Sequence, residues 1–187
     1  MTFVDSIRAW HDFFLLTGGG AATMLGLVFV AVSLATGLPS LPSSGEGELF
    51  VTPILWQYGY AFGTAASCLA PWAEQRHFGL FMTILGASAV LRSGWLLRDM
   101  LRHHRRSDGI KVRYWIWTGI LPFVTALVLV GSGLCLWRTS QRPISCVATA
   151  TLALDLMGVR NTWQLVVWMI GERVPTGGAK AGARQSA

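Results

Sequence analysis

Five long stretches that are almost free of charged residues dominate this sequence. They cover residues 13–36, 51–71, 78–97, 114–136 and 145–170, and each is 20 to 26 residues long. An α-helix needs about 20 predominantly apolar residues to cross the hydrocarbon core of a bilayer. Every backbone polar group must be paired inside lipid, and these stretches are continuous rather than alternating. They therefore predict transmembrane helices and not a barrel.

Composition leads to the same class of protein. Of the 187 residues, 52% are hydrophobic and 13% are charged, whereas soluble domains carry about 25% charged residues. A soluble domain of this size cannot bury so much apolar surface and still cover itself with polar groups. We expect an all-α, polytopic integral membrane bundle of about five helices. Residues 1–174 form its single transmembrane domain, and residues 175–187 form a flexible cytoplasmic tail.

The distribution of lysine and arginine predicts the orientation. With the N-terminus outside, the cytoplasmic segments hold nine of these residues and the outer segments hold four. The positive-inside rule therefore favours an outside N-terminus and an inside C-terminus, in a bacterial-type inner membrane. The alternative is a four-span protein in which the stretch 145–170 lies in the membrane interface.

One connection, residues 98–113, is strongly basic. Membrane topology explains its charge, so we predict no nucleic-acid partner. Basic segments beside a membrane span also attract anionic lipid headgroups. The residues expected to contact those headgroups are Arg102, Arg105, Arg106, Lys111 and Arg113.

Three of the stretches carry small residues at helical spacing. In lipid, helices associate through close packing of such residues. The stripes predict helix–helix contacts within one chain or between copies in a homo-oligomer, and the sequence leaves both open. The packing residues are Gly18, Ala22 and Gly26 in the first stretch, Gly59, Gly63 and Ser67 in the second, and Gly79, Gly86 and Ser93 in the third.

Only three of the 24 charged side chains fall inside the stretches: Arg92, Asp155 and Arg160. Ionisable groups at membrane depth are costly and point to function. One possibility is a structural ion pair of Asp155 with Arg160 or Arg92. Another is a polar pathway along the fifth helix, which is polar on two sides, and a third is a proton relay through Asp155. The predicted pathway residues are Arg92, Asp155, Arg160, Asn161, Thr162 and Gln164.

The sequence shows no phosphate-binding loop, metal-ligand spacing or nucleophile motif, so we predict no enzyme, metal or cofactor. Cys135 and Cys146 flank a short connection, and both a disulfide and free thiols are compatible with that spacing. We expect a homo-oligomeric ion channel or small-solute pore whose fifth helix lines or borders the pathway. The alternative is a non-conducting accessory or scaffold subunit of another membrane protein, and a quinone- or haem-dependent enzyme is a third possibility.

Overall fold

The computed structural model describes residues 3–36, 46–104, 116–138 and 143–172. Within these residues the chain is helical, and no strand occurs. A π-helical turn, Ile116–Ile120, leads directly into the fifth α-helix. The α-helices are α1 Phe3–Ala9, α2 His11–Thr36, α3 Glu46–Leu69, α4 Gln75–His104, α5 Leu121–Trp137 and α6 Ile144–Glu172.

Three helical segments are long and apolar enough to cross a membrane: His11–Leu34, Gln75–Arg98 and Ile116–Trp137. They coincide with the first, third and fourth uncharged stretches of the sequence. The protein is therefore an integral membrane protein with an all-helical transmembrane part. The second and fifth stretches also form long helices, α3 and α6, but these helices carry more polar side chains.

Pro122 marks the junction between the π-helical turn and α5. The sequence predicts a bend here, because proline cannot donate a backbone hydrogen bond to the preceding turn. The structure meets this constraint by starting a new α-helix, so that Pro122 lies in its first turn. At that position the missing N–H has no partner to lose.

Helices α3, α4, α5 and α6 form a ring, and α2 lies outside it. Helix α4 packs closely along α5, α5 contacts α6, and α6 packs along α3. Helices α3 and α4 make few contacts with each other, and α2 lies against α3 and α6. Helix α6 therefore contacts α2, α3 and α5. Its two polar sides predict a position at the centre of the bundle or at a subunit interface.

Large side chains fill one end of this ring. Phe78 at the start of α4 and Leu136 at the end of α5 are fully buried there. The Trp72 indole N–H donates a hydrogen bond to the carbonyl of Ser67 at 2.6 Å, and the Gln75 amide donates one to the carbonyl of Leu136 at 3.0 Å. The end that holds the start of α2 is therefore tightly closed, whereas the opposite half of the ring leaves space between its helices.

Candidate functional site

A pocket of ≈ 380 Å³ lies in the open half of the helix ring. Small-molecule sites usually enclose about 300–1,000 Å³, so the volume is that of a ligand site. Proline residues of α3 and α5 contribute to its wall, and the π-helical turn does so through Thr118. The lining residues are Thr52, Pro53, Trp56, Gln57, Tyr60, Ala89, Arg92, Ser93, Trp95, Leu96, Thr118, Pro122, Ala126, Leu129 and Leu154.

Arg92 is the charged side chain of the pocket lining. Its guanidinium carbon lies 4.9 Å from the centre of the Trp56 ring, on the neighbouring helix α3. A guanidinium over an indole face is stabilised by about 0.5–1 kcal/mol at an exposed site, and by about 2 kcal/mol or more when desolvated. One turn along the same pair of helices, the Ser88 hydroxyl donates a hydrogen bond to the Tyr60 hydroxyl at 3.2 Å.

A second arginine lies on an aromatic face on the other side of the ring. The guanidinium carbon of Arg160 lies 4.5 Å from the centre of the Trp117 ring, in the π-helical turn. Next to Arg160, the Asn161 amide donates a buried hydrogen bond to Oε1 of Gln57 at 2.9 Å. Gln57 lines the pocket, so this hydrogen bond connects α6 to the pocket wall.

Asp155 lies on a face of α6 that packs towards α3. On that face Thr162 and the Tyr58 hydroxyl are 3.5 Å apart, and the Tyr58 ring packs onto Gly158. Oδ1 of Asp155 is buried and has no hydrogen-bond partner among the described residues. Within that part of the chain, Asp155 forms no ion pair with Arg92. Of these residues, none lines the pocket except Arg92.

The structure therefore does not bring the six predicted pathway residues together in one site. Arg92 lines the pocket, and Asn161 touches its wall through Gln57. Asp155 and Thr162 face α3 at Tyr58 instead. Gln164 is half-buried and does not line the pocket.

The small residues of α4 lie at the closest helix contact. A Cβ atom added to Gly86 would lie 2.7 Å from the backbone nitrogen of Val130. One added to Gly79 would lie 2.8 Å from Cα of Trp137. The third member of this stripe, Ser93, is buried beside the pocket and donates a hydrogen bond to the carbonyl of Ala89 at 2.7 Å.

Only some of the small residues in the stripes of α2 and α3 lie at a close contact between helices. A Cβ on Gly18 would lie 2.9 Å from Cβ of Ala65, and Gly63 faces only the Leu85 side chain, at 3.9 Å. Added Cβ atoms on Gly26 and Gly59 would meet nothing within 4 Å. Ala22 is exposed, and Ser67 is buried with its hydroxyl bonded to the carbonyl of Gly63.

The predicted headgroup contacts fall largely outside the described residues. Arg102 lies in α4, whereas Arg105, Arg106, Lys111, Arg113 and the tail 175–187 lie outside the described ranges. Both Cys135 and Cys146 are free, exposed thiols, and the third cysteine, Cys68, is free and buried. The described residues include no group of three or more potential metal ligands.

Sequence reasoning missed most of the pocket. Tryptophan near the end of an apolar stretch is typical of a membrane interface, but Trp56 and Trp95 line the pocket. Gln57 is an amide in the middle of a hydrophobic stretch, and the rule that singles out polar groups at membrane depth also applies to it. Nothing in the sequence around Thr118 indicates that it lines a pocket, because its position in the lining depends on the helices that pack beside it.

No protein-family model, curated protein or solved structure matches this chain. A fold class of membrane helices is in any case shared by proteins of many functions.

Proposed function

We propose that the protein is a membrane transport protein that passes a small solute or ion through the pocket between α3, α4, α5 and α6. The pocket itself carries the proposal, because it is a ligand-sized space bordered by four helices within one chain. Transport sites in membrane proteins commonly lie between helices, at positions where the regular helical structure is interrupted. Here the π-helical turn interrupts the regular α-helix beside the pocket, and Pro53 lies inside α3.

This proposal includes five membrane spans, with the N-terminus outside and the C-terminus inside. Helices α3 and α6 have 24 and 29 residues, which is long enough to cross a bilayer. Several of their polar side chains are turned towards other helices and not towards lipid. The hydrogen bond of Gln57 to Asn161 is an example. Internal pairing of this kind makes moderately polar helices compatible with a membrane.

The closed end of the ring makes a permanently open pore through one chain unfavourable. Passage requires either a change at the end filled by Phe78 and Leu136 or a pathway completed by other subunits. We therefore propose a gated pathway in a homo-oligomer of a bacterial-type inner membrane, in which α6 borders the pocket through Leu154.

Reconstitution tests the proposal directly. The particle mass of the purified protein in detergent is measured by light scattering. The protein is then incorporated into liposomes, and ion conductance and uptake of small solutes are recorded against protein-free liposomes. We expect a particle of several chains and uptake above the protein-free level. An oligomeric, well-folded protein that passes no ion or solute at any voltage or concentration gradient would contradict transport.

An accessory role is the second candidate, and the outer face of α2 favours it. Cβ atoms added at Gly19, Gly20 or Gly26 would meet no atom within 4 Å, so a further helix has room to pack closely on this face. The two roles differ in one outcome. An accessory subunit remains inactive in liposomes until a specific membrane partner is added, whereas a transporter is active alone.

A further inference from the structure

The exposed side chains of the pocket lining belong to α3 and α4, so the pocket opens between these two helices. Three contacts connect these helices along their length: Gly63 with Leu85, Tyr60 with Ser88, and Trp56 with Arg92. Few other contacts join the two helices.

The side chains at this opening reach the surface of the bundle. Trp56 is 46% exposed, Trp95 is 75% exposed, and Arg92 is also exposed. Arg92 lies within the segment Gln75–Arg98, which is apolar enough to span a membrane. The opening is therefore at membrane depth, where an occupant reaches it from the lipid.

The buried part of the lining is mainly apolar but includes the polar side chains of Gln57, Ser93 and Thr118, and its charge lies at the opening. Ala126, Leu129 and Leu154 form the buried floor of the pocket on α5 and α6. The charge of the lining belongs to Arg92, at the α3–α4 side. A ligand that matches this arrangement has an apolar body and one anionic end.

Arg92 also lacks an anionic partner within the protein as far as the described residues extend. Its guanidinium rests on the Trp56 ring, and no described carboxylate forms an ion pair with it. A cation at membrane depth is costly unless it is paired or reaches the interface. A planar guanidinium binds a carboxylate or phosphate through two parallel hydrogen bonds, and such charge-assisted bonds are strong.

We infer that the pocket binds a single-chain amphiphile with an anionic headgroup, which enters from the membrane between α3 and α4. The headgroup lies at Arg92, and the hydrocarbon chain lies against the floor formed by Ala126, Leu129 and Leu154. A volume of ≈ 380 Å³ is near the lower end of ligand sites and matches one chain better than two. This inference rests on the proposed function, for which it names the class of solute.

Photoaffinity labelling tests the inference. The full-length protein in phosphatidylcholine nanodiscs is irradiated with a diazirine-bearing fatty acid, and the adducts are mapped by mass spectrometry. We expect adducts concentrated in residues 52–60, 89–96 and 118–126. Dodecanoate should reduce this labelling by about tenfold, whereas dodecanol, which lacks the charge, and acetate, which lacks the chain, should leave it unchanged.

Two substitutions in the pocket and one control substitution outside it make the test specific to the pocket. Arg92→Gln should lose the labelling, whereas Arg98→Gln should keep it, because Arg98 lies on the same helix, is exposed and does not line the pocket. Ala126→Phe should also lose it by filling the floor. Each variant is compared with the wild type for oligomer size and thermal stability, and Arg92→Gln alone decides the test if Ala126→Phe does not fold.

Three outcomes would overturn the inference: adducts spread evenly over the lipid-facing surface, equal competition by dodecanol, or full labelling of Arg92→Gln. Its failure is separable from failure of transport. Pocket labelling without any flux would leave the binding site in place and contradict transport. Ion or solute flux without pocket labelling would keep transport and reject the amphiphile.

Discussion

Both arginines inside the predicted spans lie on tryptophan rings. Arg92 contacts Trp56 and Arg160 contacts Trp117. The sequence left open whether either arginine pairs with Asp155, and the described residues contain no ion pair of Asp155 with Arg92. An aromatic face stabilises a guanidinium while leaving its in-plane N–H donors available to other partners. At the residue scale, this availability is what suits Arg92 to a ligand.

The hydrogen bond from Asn161 to Gln57 joins the polar side of α6 to the pocket wall. Hydrogen bonds between membrane helices contribute about 0.6 kcal/mol on average. A thermodynamic cycle over Asn161→Leu, Gln57→Leu and the double variant, measured by unfolding in detergent, should therefore give a coupling free energy of about 0.5–1.5 kcal/mol. Additive effects of the two single substitutions would show that the side chains are not coupled.

At the element scale, α4 and α5 form the closest contact of the bundle. Gly86 of α4 approaches the backbone of Val130. In the opposite direction, a Cβ atom added to Gly133 of α5 would lie 2.6 Å from the backbone nitrogen of Thr83. The contact is therefore built from glycines of both helices. Because backbone atoms stand opposite these glycines, a rearranged side chain cannot make room for a methyl group.

Gly86→Ala should destabilise the protein by about 1–3 kcal/mol, through overpacking against α5. Gly131→Ala is the matched control, because its Cβ would meet no atom within 4 Å and alanine is the better helix former. Thermal unfolding in detergent should show a lower Tm for the first variant and an unchanged or higher Tm for the second. The opposite order would contradict the close α4–α5 packing.

The sequence predicts where the long helices form, but it does not predict which helices pack against each other. The continuous apolar runs place the long helices, because helix formation in lipid depends on local backbone pairing. The stripe with Gly79 and Gly86 predicts a packing face, but it does not say that α5 is the partner. The pocket was missed for the same reason. Its residues come from separate helices. A pattern along one helix identifies a packing face, but it does not identify the helix that packs against that face.

At the scale of the whole molecule, one end of the four-helix ring is closed and the other contains the pocket. With the N-terminus outside, the closed end around Phe78 faces outwards and the pocket lies in the cytoplasmic half. The closed end is then the barrier between the pocket and the outer side. The proposed orientation therefore determines which compartment supplies or receives the solute.

Reporter fusions test this orientation and the number of spans. A fluorescent protein fused after residue 187 should fluoresce in bacterial cells, since five spans bring the C-terminus to the cytoplasm. Alkaline phosphatase inserted within residues 139–142 should be active, because that connection should face the outside. A dark C-terminal fusion combined with an active phosphatase would instead indicate four spans.

The central claim is that solute passes through the pocket lined by Arg92, and paired substitutions in a flux assay test it most directly. Uptake of dodecanoate into proteoliposomes is compared for the wild type, Arg92→Gln and Asp155→Asn, with uptake by protein-free liposomes subtracted. Arg92 lines the pocket and Asp155 does not, so Arg92→Gln should lower uptake by about tenfold or more while Asp155→Asn changes it less. Unchanged uptake in Arg92→Gln, with loss of uptake in Asp155→Asn, would contradict the account.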